Sequence, residues 1–347
     1  MALAATFIAL PPDRRALAFG QTAARLAASS VMVEKDFWVC WLLGLLFADA
    51  ELAPHVVFKG GTSLSKVYGV IDRFSEDIDL SLSPAFVGAD EAAFEALASC
   101  TRRDQALARM QAQCGERTRD TVAPRLEALI AAQLGARPGG EPWLSYEDDA
   151  VARSPVLWFH YPTAQATGFD YLRRAVKLEL GSLTDQRPTE QHPVRPWVAD
   201  EFPAVFADWQ CVVTALELPR TFWEKATILH AEHHRPPELP MPDRYARHYA
   251  DMARLLLHPR AADMLGDHTL CTRVVEWKSR VFARQWARYD LAQPRSFRLL
   301  PPATRIEALA RDYAAMRPMF LSLPPAFDAV LAQLAAAEHT LNGADQG

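Results

Sequence analysis

The chain has little cysteine, no long apolar run and no excess of positive charge. Its five cysteines, Cys40, Cys100, Cys114, Cys211 and Cys271, are odd in number and show no metal-type spacing. They read as reduced thiols in a cytoplasmic protein, not as a disulfide framework. The longest apolar run, residues 37–48, is shorter than the ~20 residues that span a bilayer, so no membrane partner is expected. The opening MALAATFIALPPDRR has no basic segment ahead of its apolar stretch and makes a poor secretion signal. A net charge of −5 argues against a general DNA-coating role but leaves room for a local basic groove. No internal repeat is visible. What is present is ordinary globular composition, 50% hydrophobic and 23% charged, in 347 residues, enough for one large or two moderate domains.

The most informative stretch is FKGGTSLSKVYGVIDRFSEDIDLSL, residues 58–82. A buried strand over 55–59 leads into the diglycine Gly60-Gly61, a helix over 63–70 follows, and a strand over 77–82 carries Asp77 and Asp79. Alternation in a strand sends residues i and i+2 to one face, about 7 Å apart. Carboxylates that close repel unless a cation lies between them, and Mg²⁺, an oxygen-seeking ion that shares its shell with phosphates, suits them. Glycines let backbone N–H groups approach a phosphate, and the helix that follows offers its positive end. Gly60, Gly61, Thr62 and Ser63 would therefore cradle a triphosphate, with Lys66 reaching the β or γ phosphate or else lying on the surface. Lys59 could pair with either aspartate, and Ser75, two residues before Asp77, could act as a local acceptor.

This order of strand, GG[TS], helix and Asp-x-Asp resembles the core of the DNA polymerase β-type nucleotidyltransferases. A finer resemblance is to the AbiEii/AbiGii-type nucleotidyltransferase toxins of type IV toxin–antitoxin and abortive-infection systems. The matching words are VEKDFW (33–38), FKGGTSLSKVY (58–68), RFSEDIDLSL (73–82), VKLELG (176–181), RTFWEKATILH (220–230) and RYARHYADMARL (244–255), followed by the tail over 289–342. The resemblance covers most of the chain but not the region around 91–142.

The resemblance implies that Asp77 and Asp79 hold the metal, that Lys225 contacts nucleotide phosphates, and that Asp251 orients Lys225 or a metal-bound water. Arg247 lies four residues before Asp251 and could instead tie that helix down. Lys225 could instead be a snorkelling lysine beside Thr221 and Phe222. Glu179 is a candidate third metal ligand on the polar face of its strand, or one half of a solvated pair with Lys177; both readings stay open. Arg220 is a second cationic candidate. His233, His234 and His248 form no convincing metal set.

The expected fold is α+β: a small mixed sheet flanked by helices, with a helical C-terminal half. Helices are expected over 13–28 and from Ser29 or Ser30 to 47, a helical insertion over about 89–135, a loop over 136–142, and strands over 155–161, 174–183 and 211–216. The expected domains are 1–216 and 217–347. Residues 273–298 alternate basic and aromatic side chains. On one helix, Arg280, Arg284 and Arg288 would share a face beside Trp277, Phe282, Trp286 and Tyr289, which suits an RNA backbone with stacking bases or, more plainly, a core face backed by solvated arginines.

The implied activity is Mg²⁺-dependent transfer of a nucleoside monophosphate from an NTP to an RNA acceptor, the tRNA 3′ end, with a cognate antitoxin acting at the gene or regulatory level. One alternative is transfer to a small molecule or protein. Another is a nucleotide-binding regulator without turnover, against which the intact Asp-x-Asp speaks.

Overall fold

The computed structural model describes residues 4–149, 154–165 and 173–343. Contacts divide the chain into one unit of residues 1–67 with 74–216 and a second of 68–73 with 217–347. Residues 68–73 therefore group with the helical second unit.

The first unit is built on a seven-stranded mixed sheet. Its strands are β1 (Val56–Lys59), β2 (Ile78–Leu82), β3 (Leu144–Asp149), β4 (Ser154–Phe159), β5 (Val176–Gly181), β6 (Thr189–Pro193) and β7 (Val212–Leu216), in the spatial order β3-β4-β5-β2-β1-β7-β6. β1 runs antiparallel to β2 and parallel to β7, and β2 runs parallel to β5. The remaining pairs are antiparallel.

Alternation decides the faces. Ile78, Leu80 and Leu82 of β2 and Val176, Leu178 and Leu180 of β5 are buried, while Asp79, Lys177 and Glu179 between them remain partly accessible. Helix Ser30–Ala48 packs across β5 and β7. Ser29 caps it, its side chain accepting the Met32 N–H. A helix this apolar on every side has to be a core helix. Trp38 and Trp41 stack on Tyr161 and Phe159 at the end of β4. Truncating a buried tryptophan such as Trp41 to alanine costs about 3–5 kcal/mol in such a core.

The insertion is not one helix. It comprises Glu91–Glu95, Cys100–Arg117, a π-helical turn Thr118–Val122 and Ala123–Leu134. Pro124 has no N–H to donate and its ring crowds the carbonyl of residue 120, which explains the widened turn ahead of it.

The second unit is helical: Leu218–His233, Ala246–Leu256, Ala261–Gly266, His268–Val281, Ile306–Ala315 and Phe327–Gly343. Ala246–Leu256 packs against both Leu218–His233 and Phe327–Gly343. The buried Glu338 of the last helix accepts the N–H groups of Leu299 and Leu300 and so fixes the loop before Ile306. No helix among the described residues is long and apolar enough to cross a membrane.

Candidate functional site

The diglycine forms the corner between β1 and the helix Gly60–Lys66. Gly60 has φ +81°, a left-handed conformation that disfavours side chains. Space imposes the same choice: a Cβ at position 60 would lie 1.9 Å from Asp79 Oδ2. The Asp79 carboxylate is thus seated against the backbone of the turn. The first N–H groups of a helix have no acceptor within it, the arrangement an anion site uses. The hydroxyl of Ser63 is buried there without a partner among the described residues.

Thr62 plays a different part from the one its sequence position suggests. It is fully buried; its hydroxyl donates to the Asp77 carbonyl and shares a 3.0 Å hydrogen bond with the Ser75 hydroxyl. It locks the turn to the carboxylate strand instead of offering a side chain to phosphate, and Ser75 is spent on the same bond.

Asp77 immediately precedes β2 and Asp79 lies inside it, opposite Lys59 of β1 and beside Glu179 of β5. Burial raises the Asp77 carboxyl to about 7, and the charges of Glu76, Asp79 and Glu179 add to the rise against the opposing pull of Lys35. An oxygen-only, repelling acidic group is the donor chemistry a hard divalent cation satisfies. Asp77 and Asp79 fit that role, with phosphate oxygens to complete a shell. Glu179 is bound by Lys177, which also reaches Asp149 at 3.4 Å. No group of three or more acidic, histidine or cysteine side chains is arranged around a single ion position among the described residues. Glu179 is thus paired with Lys177 in the structure.

Lys66 requires a correction. Its ammonium does not face the turn but is buried against Asp36, 2.7 Å from Oδ1, and lies 5.0 Å from the centre of the Trp197 ring. Burial disfavours its charge, yet Asp36 holds its pKa above the ordinary lysine value. It is committed to the interior and is not a phosphate contact.

In the second unit, Asp251 joins two side chains. Arg73 grips it bidentately, Nε to Oδ1 at 2.8 Å and a terminal nitrogen to Oδ2 at 2.9 Å, and Lys225 Nζ lies 2.6 Å from Oδ2. Burial would raise the Asp251 carboxyl, but Arg73 and Lys225 overrule it and hold it well below the usual range. Burial lowers the Lys225 pKa despite Asp251, and His248 Nδ1 lies 3.4 Å from its ammonium. Asp251 and Lys225 are thus paired; the partner sequence reasoning missed is Arg73, 178 residues away in sequence.

The other cationic candidate, Arg220, is fully buried and bonds Glu224 at 2.7 Å; Lys278 completes that network at 2.8 Å. The arginine stripe expected over 273–298 does not exist as one face. The helix stops at Val281, Phe282 leaves helical geometry and Arg288 takes φ +47°.

A diglycine corner seated against an Asp-x-Asp strand in a mixed sheet defines a nucleotidyltransferase core. The comparisons agree. Residues 41–333 match the family described as "Nucleotidyl transferase AbiEii toxin, Type IV TA system". The chain belongs to this AbiEii family of nucleotidyltransferase toxins. Among solved structures, it is similar in fold to the nucleotidyltransferase toxin MenT4 from Mycobacterium tuberculosis H37Rv, with a TM-score of 0.51 and 17% identity over 95% of this chain and 90% of that one. No curated protein matches.

Proposed function

We propose that this toxin transfers a nucleoside monophosphate from an NTP to an RNA hydroxyl, the 3′ end of tRNA, in a Mg²⁺-dependent reaction in the cytoplasm. The observation that supports it most is the seating of Asp79 on Gly60 with Asp77 alongside, which brings a phosphate-binding corner and a cation-binding pair together. Asp77 and Asp79 would hold the cation, whose contribution is to activate the attacking oxygen and neutralise charge on the phosphoryl group. The N–H groups at Gly60, Gly61, Thr62 and Ser63 would position the triphosphate, and Lys225, oriented by Asp251, would contact nucleotide phosphate. In the reaction the acceptor hydroxyl oxygen bonds to the α-phosphorus. The bond from that phosphorus to pyrophosphate breaks, and the hydroxyl proton passes to solvent. For the RNA acceptor, exposed Phe282, two residues before exposed Arg284, would offer a stacking ring near a cation. As a type IV toxin, the protein has a cognate antitoxin.

Each NTP, labelled at the α-phosphate, is incubated with total RNA, protein and metabolites. Label on RNA 3′ termini is expected; label confined to protein or metabolites would remove the RNA acceptor.

A further inference from the structure

Helix Ser30–Ala48 is buried along most of its length, yet it carries three consecutive charges, Glu34, Lys35 and Asp36, each nearly inaccessible. Each faces a different element. Lys35 Nζ lies 2.6 Å from Glu76 Oε2 and 2.9 Å from the Arg173 carbonyl. Asp36 takes Lys66 on Oδ1 and the Trp197 N–H on Oδ2, both at 2.7 Å. Glu34 accepts from the Thr163 hydroxyl at 2.8 Å and from the Ala164 N–H.

Buried ion pairs are poor devices for stability alone, because desolvation offsets most of their attraction and well-packed apolar residues often serve as well. They do fix direction and separation. Two of these ties end at the candidate site. Glu76 is the residue before Asp77, and Lys66 closes the helix that opens with Gly60. One helical turn therefore grips both the carboxylate strand and the far end of the phosphate-binding helix.

We propose that Lys35 and Asp36 are positioning residues that bracket the nucleotide site, Lys35 holding the approach to Asp77 through Glu76 and Asp36 holding the phosphate helix through Lys66. This rests on the nucleotidyl-transfer reading. Neither residue touches substrate; each fixes the place of a group that does. Glu34 shares their helix and their burial, but its partners lie outside the site, so it is an internal control.

The test is steady-state pyrophosphate release by the full chain, with melting midpoints, for two charge-neutral double variants and the control. D36N/K66M removes both charges and keeps an acceptor for Trp197; K35Q/E76Q does the same for the other arm. A misplaced phosphate helix should raise the KM for NTP roughly tenfold in D36N/K66M with kcat little changed. A misplaced Asp77 should lower kcat roughly tenfold in K35Q/E76Q with KM little changed. E34Q should keep both constants. Wild-type kinetics in both double variants would overturn the proposal, as would an equal loss of kcat alone in all three, the signature of a smaller folded fraction. If D36N/K66M does not fold, Lys66→Arg keeps the charge while shifting the helix end. A raised KM is then expected, and a wild-type KM overturns the proposal. If the wild-type protein releases no pyrophosphate from any NTP, the nucleotidyl-transfer reading itself falls, and the bracket with it.

Discussion

The Asp79 carboxylate occupies the place where a side chain at Gly60 would begin: a Cβ there would lie 1.9 Å from Oδ2. A side chain at position 60 and the Asp79 carboxylate therefore cannot both hold their places. Gly60→Ala should lower nucleotide transfer about a hundredfold, because it adds a left-handed strain and displaces the carboxylate from its productive position. Steady-state kinetics with a melting curve check it. A variant that melts normally and transfers at the wild-type rate would show that Asp79's seat is unimportant.

Asp77 predicts a pH signature. Its carboxyl is raised to about 7 by burial and by Glu76, Asp79 and Glu179, so the folded protein binds a proton that the unfolded chain has already lost near neutrality. A carboxyl shifted upward in this way favours the folded state at low pH, and that advantage shrinks as pH rises through the folded value. Without divalent cation, the melting midpoint should therefore fall between about pH 6 and pH 8. With Mg²⁺ added, the deprotonated pair gains a partner and the fall should vanish or reverse. Melting curves across that range decide it; a flat profile without cation would contradict the assignment.

The Asp251 network separates holding from contacting. Asp251→Asn leaves Arg73 and Lys225 buried without their counter-charge and should destabilise the protein by about 3–5 kcal/mol. Lys225→Met keeps the bidentate Arg73–Asp251 pair, so it should cost less stability while raising the KM for NTP roughly tenfold. Denaturant unfolding and NTP kinetics on the two variants test this. An unchanged KM in Lys225→Met would leave Lys225 a purely structural residue.

The elements of the candidate site were legible where they are local: the diglycine corner, the short helix and the strand carrying Asp79 lie within 25 residues. What could not be read depends on partners far away in sequence. Lys66 looks like a phosphate ligand until Asp36 of another helix claims it, and Asp251 looks paired to Arg247 until Arg73 appears. A signal for the bracket did exist, namely three adjacent charges inside an apolar run at 34–36. The two strands not foreseen, β3 (LSYEDD) and β6 (TEQHP), are the edges of the sheet. Edge strands bury little and need no apolar alternation, so periodicity is silent about them. The helix face expected for Arg280, Arg284 and Arg288 failed for the opposite reason: their i, i+4 spacing fits a helical template that the chain abandons at Val281.

The most direct test of the account is label transfer from α-phosphate-labelled NTP to RNA by Asp77→Asn and Asp79→Asn beside the wild-type protein, with Mg²⁺ present and melting midpoints recorded. Wild-type protein should label RNA. Each variant should fold and lose activity by roughly a thousandfold, because the cation has lost half of its protein ligands. A folded variant that labels RNA at the wild-type rate would contradict the carboxylate pair as the seat of the chemistry.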